Sequence, residues 1–558
     1  MLGVHSRYIS PLAPPGRRRA GGAPPEGCGR RNGDITGARI LVVTMTDEEE
    51  GRRVVPAEEI LGKIERGEKV DCNNIIIEGN LELGTCYLLR LNFESEIKTF
   101  VTSLVRIRDS VIRGDLNFDN TIFLNFVDFK GTRFEGKVSF SKAKFHNSAI
   151  FSSEKRKTYF KNYVNFQDAN FLDFTHFDGV TFEMDANFKH ARFKNVVFFR
   201  KAIFCQTADF GGATFENHTS FKETNFNARA NFAIVDFGIC LEDLGFRNGS
   251  PDNWGAANFI KSTFCGYADF SQANLNGDPN FSNATFEAEA NFMMTNFFGD
   301  TIFSHVIFKN IVIFNHSRFY NHILINGVYK IGDHSNEVNF TDVEFYKQAN
   351  FTRDVIFFVD VKFWNSHFGG KALFRDCRFC GISDFSGCEF NKDAFFRKAF
   401  FNKAAIFWGS RFYEDAYFNK AIFNNNINLK ESRFNRFDVE WASIKEAISH
   451  KDNDRAVYLS LIKNFKELGY FDDADDCIYI YRLKFSDSND QIERISRLIQ
   501  YGVKLRNSFI LIILGSFLLI MTTYRYNSVD LRIVISELIL FGILIPVFIV
   551  LLARKLIR

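Results

Sequence analysis

Ala186-Asn187-Phe188-Lys189-His190-Ala191-Arg192-Phe193 sets two phenylalanines five residues apart, and the next, Phe199, follows after six. The alternation holds onward through Phe204, Phe210, Phe215, Phe221, Phe226, Phe232 and Phe237. Backward it runs through Phe182, Phe177, Phe171 and Phe166, and an earlier block reads Phe118, Phe123, Phe129, Phe134, Phe140, Phe145 and Phe151. Further blocks cover residues 259–319, with Leu275 once replacing Phe, and 363–434, with Leu429 as the exception. The unit is eleven residues, a five plus a six. Neither a helix period of about 3.6 nor a strand period of about 2 generates it.

The residues around each Phe say what the period builds. Asn or Asp precedes it in Asn165-Phe166, Asn170-Phe171, Asp209-Phe210, Asn231-Phe232 and Asp269-Phe270. Ala stands two before it in Ala169-Asn170-Phe171, Ala186-Asn187-Phe188 and Ala290-Asn291-Phe292. In a short extended segment, alternate residues face opposite sides, so Ala and Phe point inward and Asn or Asp outward. Eleven-residue repeats can also specify right-handed coiled coils, but good helix formers are sparse here. With 68 phenylalanines against 9 prolines and 4 tryptophans, one structural position is being filled repeatedly.

The A-[DN]-[LF]-x-x pattern, Phe-centred and with an occasional sixth residue, resembles the pentapeptide-repeat family over residues 112–438. The resemblance implies a β-solenoid: a right-handed quadrilateral β-helix with one repeat per face and two eleven-residue units per coil. Phe118, Phe123, Phe129 and Phe134 would then fill one layer. Phe166, Phe188, Phe210 and Phe232 would stack along one edge, with Phe171 and Phe193 also in the core. Coils spaced by roughly 4.8 Å would make a rod on the order of 60 to 70 Å long.

The register breaks at residues 152–165, 238–258 and 320–339, and slips by one residue within 351–363, as at a bulge. The second break includes Asn248-Gly249-Ser250-Pro251-Asp252-Asn253-Trp254-Gly255. It reads as a tolerated surface insertion or, through its Trp, as a partner-binding loop.

Outside the repeat the chain divides clearly. Residues 1–44 are rich in Arg, Gly and Pro without periodicity and are expected to be disordered. The acidic, helix-forming sequence from Met45 onward suggests that the native product starts there. Residues 45–111 are expected to hold a short amphipathic helix, 56–67, capping the first coil, with Ile75-Ile76-Ile77 opening the solenoid. Residues 439–505 read as a helical cap and linker. Its helices over 456–465 and 474–483 resemble a tetratricopeptide-type pair.

Residues 508–524 carry no charge, and the run at 533–553 carries only Glu537. Each approaches the roughly 20 residues that cross a bilayer, so 506–558 read as a two-helix transmembrane hairpin. Arg497, Lys504 and Arg506 precede it, and Arg554, Lys555 and Arg558 follow it. The positive-inside rule puts both termini and the rod in the cytoplasm. Glu537 is a candidate intramembrane functional residue, with snorkelling beside Arg532 as the plainer reading. Some pentapeptide-repeat membrane proteins resemble ion channels, but the loop between these runs is too short for a pore loop.

No phosphate loop, G-x-S-x-G, H-E-x-x-H or paired C-x-x-C is present. Cys377-x-x-Cys380 stands alone, and the ten cysteines read as reduced thiols. His190, His218 and His305 fall between Phe positions and read as solvated. Some soluble relatives mimic DNA with an acidic rod. Here 37 basic residues balance 36 acidic ones over 112–438, so no nucleic-acid partner or mimicry is expected. The expectation is a non-enzymatic membrane-anchored scaffold without cofactors, bound to the lipid bilayer and an unidentified protein partner. The alternative is a transport or sensing subunit whose hairpin forms a homo-oligomer.

Overall fold

The structure, a computed structural model, describes residues 51–485 except 86–89, 94–95, 153–154, 239–256, 321, 326–327, 331–336 and 449–452. The expected disordered segment 1–44, the turn-rich stretch around Trp254, the hairpin 506–558 and Glu537 lie outside these residues.

Each repeat contributes a strand of mostly two residues, paired in parallel with the strand one coil away. Ala186–Asn187 pairs with Ala208–Asp209, which pairs with Ala230–Asn231. Thr181–Phe182, Arg192–Phe193 and Val197–Phe198 likewise pair with Ile203–Phe204, Thr214–Phe215 and Thr219–Ser220. Four strands thus close each coil of two eleven-residue units. The phenylalanines form four internal stacks. The first runs through Phe188 and Phe210, the second through Phe193 and Phe215, the third through Phe199 and Phe221, and the fourth through Phe204 and Phe226. Consecutive rings lie nearly parallel, as in Phe188–Phe210 at 4.8 Å and Phe193–Phe215 at 4.9 Å. The first and third stacks, opposite each other, meet edge to face across the core, as in Phe188–Phe199 at 5.5 Å and 88°. Both are arrangements that the ring quadrupole favours.

Two kinds of corner produce the five-plus-six alternation. After the first and third stacks the chain turns through a left-handed residue: His190 at φ 57°, Lys201 at 58°, Ile234 at 60°. The Ala191 N–H closes that turn on the Phe188 carbonyl at 3.0 Å. Positive φ at the third residue makes it a tight, type II-like turn, which spans five residues from Phe to Phe. The other two corners are wider and take six. The bulge expected within 351–363 is present as two successive left-handed residues, Arg353 and Asp354.

The stacks continue across the breaks. Phe160 stacks on Phe134 at 4.6 Å and on Phe182 at 5.2 Å, so the break expected over 152–165 ends before Phe160. Phe259 stacks on Phe221 and Phe340 on Phe303, at 5.0 and 4.8 Å. The second and third excursions therefore leave the rod at one corner, between the second and third stacks. The third carries an antiparallel hairpin, Ile323–Ile325 with Val328–Lys330.

The ladder also begins before residue 112. Arg53–Pro56 pairs with Ile75–Glu78, which pairs with Val111–Ile112, and Val70–Asn73 pairs with Val105–Arg108. These first coils are filled by Val70, Ile77, Leu81, Val105, Ile107 and Leu116 instead of Phe. Helix α1, Ala57–Glu65, buries Ala57, Ile60 and Ile64 against them. The N-terminal boundary of the solenoid thus moves from 112 to Arg53.

At the other end three helices follow the last coil: α2, Trp441–Ile448; α3, Arg455–Glu467; and α4, Phe471–Phe485. Asp454 caps α3 by accepting from the backbone N–H groups of Ala456 and Val457. Trp441, Ile444, Tyr458, Leu461 and Phe465 are buried in the same core as the last phenylalanines. The expected helix pair is present as α3 and α4; α2 is an addition to it. Among the described residues no helix is long and apolar enough to cross a membrane.

Candidate interaction surface

The outward Asn and Asp have a structural task. Oδ1 of Asn187, Asp209, Asn231 and Asn291 accepts from the N–H two residues on, in Lys189, Gly211, Ala233 and Met293, at 2.9–3.1 Å. These side chains also bond along the column: Asn187 Nδ2 to Asn165 Oδ1 at 3.1 Å, and Asn231 Nδ2 to Asp209 Oδ1 at 2.7 Å. Their carboxylates and amides are committed to satisfying the corners. No group of His, Cys, Asp and Glu among the described residues is arranged to hold a metal ion.

The cysteine pair resolves the same way. Cys377 is buried and its thiol donates to the Phe351 carbonyl at 2.6 Å, while Cys380 lies half-buried three residues on. Cys388 donates likewise to Phe363 at 2.8 Å. Thr224 and Ser410 make the corresponding bonds to Phe199 and Phe385, so both cysteines occupy a position that elsewhere takes a hydroxyl. Burial pushes both thiols well above their ordinary pKa. Neither is suited to act as a thiolate.

A cluster of titratable groups lies beside the third stack. Asp178 is buried and takes Arg200 in a fork, Nε at 3.1 Å and Nη2 at 2.8 Å, with His176 Nδ1 at 3.6 Å. Burial alone would raise its pKa; hydrogen bonds from His176 and Arg200, with the Arg200 charge, outweigh burial and hold it low. The Arg200 guanidinium also covers the Phe198 ring at 4.5 Å. The arrangement is an ion pair over an aromatic. His190 and His305 are exposed; His218 is half-buried, its ring 6.0 Å from that of Phe198.

Every core residue named from the sequence lies in the four columns, Phe118 meeting the next ring of its column, Phe140, edge to face at 5.6 Å and the others stacked. Phe118, Phe123, Phe129, Phe134, Phe166, Phe171, Phe188, Phe193, Phe210 and Phe232 are each at most 1% exposed. Phe118 and Phe123 meet at 5.9 Å, and Phe129 and Phe134 at 5.5 Å.

Two outward features were not read from the sequence. At the corner where the hairpin leaves, Phe298, Tyr320 and Phe358 stack outside the coil at 4.8 and 5.1 Å. In the last coils the outward column of the first stack changes from Asn and Asp to Leu373, Phe395 and Tyr417. Phe395 and Tyr417 stack at 4.8 Å, with Arg375 over Phe395 at 4.5 Å and Arg397 over Tyr417 at 4.7 Å. The signal was available: paired aromatics in Phe395-Phe396 and Tyr417-Phe418 place one ring on each side of the wall.

Residues 177–225 and 363–411 match a protein-family model described as pentapeptide repeats (9 copies). Neither the curated proteins nor the solved structures contain a match to the chain. The chain carries pentapeptide repeats wound into a β-solenoid.

Proposed function

We propose that this protein is a non-enzymatic, membrane-anchored scaffold whose β-helical rod presents its outer columns to a protein partner. The observation that supports the reading is the division of labour between inside and outside. The core repeats Phe through coil after coil, whereas the outward positions change from amides near Asn187 to aromatics and arginines near Phe395. A constant core with a variable outer column is suited to recognition by surface chemistry. The anchor is the pair of apolar runs at 508–524 and 533–553, each near bilayer-spanning length. The basic residues flanking them support a cytoplasmic rod by the positive-inside rule.

Photocrosslinking in native membranes tests the proposal. A photoreactive amino acid at Trp364 or Tyr413, both exposed, is expected to trap a discrete protein adduct. Indiscriminate adducts from every position would contradict a specific partner. A second reading, a transport or sensing subunit, is favoured by one feature: Glu537 inside an otherwise uncharged run. Loss of an ion flux in liposomes on Glu537→Gln would support it. An unchanged adduct, with no flux in either form, supports the scaffold.

A further inference from the structure

Three successive corners in the last coils lack the acceptor that the earlier corners possess. At Phe188 and Phe232 the corner N–H is taken by the preceding Asn side chain, from Lys189 and Ala233 respectively. At Phe374, Phe396 and Phe418 the preceding residues are Leu373, Phe395 and Tyr417, which offer no carbonyl or carboxylate oxygen. Among the described residues the backbone N–H groups of Arg375, Arg397 and Asn419 have no acceptor. At the Asn corners these N–H groups bond to outward side chains, so here they face outward. The same loss occurs singly at Ile313, where the next corner is closed by the Asn315 side chain accepting from Thr352 N–H, and beside the third stack after Ile302, Lys362 and Ile406. Only here, among the described residues, does it run through three successive coils of one column.

The same corners concentrate positive charge. Arg375, Lys398 and Lys420 are exposed and Arg397 half-exposed, and none is within ion-pair distance of a carboxylate among the described residues. Their neighbours Lys371 and Arg378 are paired, with Asp393 and Asp354 at 3.4 Å each. Asp376 is the one carboxylate in the row of corners itself. Ring stacking fixes the Arg375 and Arg397 guanidinium planes. Arg397 Nε donates to Asn419 Oδ1 at 3.2 Å, and its terminal N–H groups, like the Arg375 edge, point to no carboxylate among the described residues and can take oxyanions. Stacked corners repeat at roughly the 4.8 Å spacing of sheet strands.

We infer that the corners at Arg375, Arg397 and Asn419 form an anion-binding strip that seats against the phosphate groups of an anionic bilayer surface. The bilayer is favoured because the strip lies in the last coils, next to α2–α4, beyond which the chain runs on to the two apolar segments. In that respect the inference rests on the proposed membrane anchor. Exposed basic residues near an anionic leaflet add attraction one by one, and backbone N–H groups supply fixed donors that lysines alone do not.

The test is hydrogen exchange on the full-length protein reconstituted in phosphatidylcholine vesicles, with and without phosphatidylserine. The amides of Arg375, Arg397 and Asn419 should be protected with phosphatidylserine and released by high salt, while those near Lys189 stay unchanged. Arg375→Gln/Arg397→Gln/Lys398→Gln/Lys420→Gln should remove this difference, weakening the attraction roughly fivefold for each charge lost. Phe395→Asn/Tyr417→Asn returns the side-chain acceptors and should abolish the phosphatidylserine-dependent difference in exchange at Arg397 and Asn419 with the charges intact. Equal exchange in both vesicles, or undiminished phosphatidylserine-dependent protection in both variants, would overturn the inference. So would equal protection by inorganic phosphate over phosphatidylcholine alone, which would assign the strip to a free anion. The anchor is read separately: failure to float with phosphatidylcholine vesicles sinks the anchor. Flotation only with phosphatidylserine would still support the strip.

Discussion

The side-chain amide of Asn464 binds the backbone of Phe437 twice: Oδ1 accepts from its N–H at 2.9 Å, and Nδ2 donates to its carbonyl at 2.8 Å. A side chain on α3 thereby imitates the strand that the next coil would have supplied. Asn453 plays the same part on the opposite face, accepting from Leu429 N–H at 2.9 Å and donating to the Ile427 carbonyl at 2.7 Å. A solenoid end that exposes unpaired strand edges invites further strands, and these two amides close it.

Asn464→Ala should therefore cost roughly 1 to 3 kcal/mol, the penalty of leaving buried backbone groups unpaired. The expected sign is faster amide exchange over Arg433–Asp438, with the coils around Phe199 unaffected. Unchanged exchange in the last coil would show that the amide contributes nothing to the cap.

Phe199 stacks on Phe177 and Phe221 at 4.8 and 4.9 Å and meets Phe188 and Phe210 edge to face. Phe199→Ala should cost roughly 3 to 5 kcal/mol. Because coils touch only their neighbours, the loosening should stay near the cavity. Amide exchange by mass spectrometry checks this, and uniform loss of protection along the rod would contradict it.

Ile234 holds φ 60° while its side chain is 63% exposed, so it bears the left-handed strain and buries little in return. The corresponding corner one coil earlier is Gly212. Ile234→Asn should raise stability by about 1 kcal/mol, the cost of a left-handed conformation for an ordinary residue. A lower melting temperature for the variant would mean that Ile234 has packing worth more than its strain.

Asp178 carries the clearest pH dependence. Its pKa is lowered in the folded protein, so its contribution is present above the unfolded value of about 3.9. That contribution is lost as pH falls through the folded pKa. Asp178→Asn should be less stable at neutral pH, with the difference shrinking in strongly acidic buffer. Melting curves of both proteins from neutral pH down to about 2 check it, and a constant gap would exclude titration of Asp178 as the cause.

What could be read from the sequence followed from where Phe was used. The four-stack core was legible because one residue type fills it at a period unlike those of helix or strand. The first coils were legible only at Ile75-Ile76-Ile77, since Val70, Leu81 and Val105 do the same job without a distinctive period. Phe160 was hidden by the insertion before it, although its ring stacks on both neighbours. The corners were illegible for another reason: His190, Lys201 and Ile234 share a conformation but no chemistry. On the outside, the Asn and Asp column was read correctly as outward. Its role in closing corner N–H groups needed distances, and so did recognition of the corners at Arg375, Arg397 and Asn419 where that closure is lost.

The proposal of a membrane-held rod meets its most direct test in alkaline carbonate extraction of native membranes, read with a probe against the repeat region. The account predicts that the intact chain stays with the membrane pellet through high salt and alkaline carbonate. Release of the intact chain into the carbonate supernatant would contradict it.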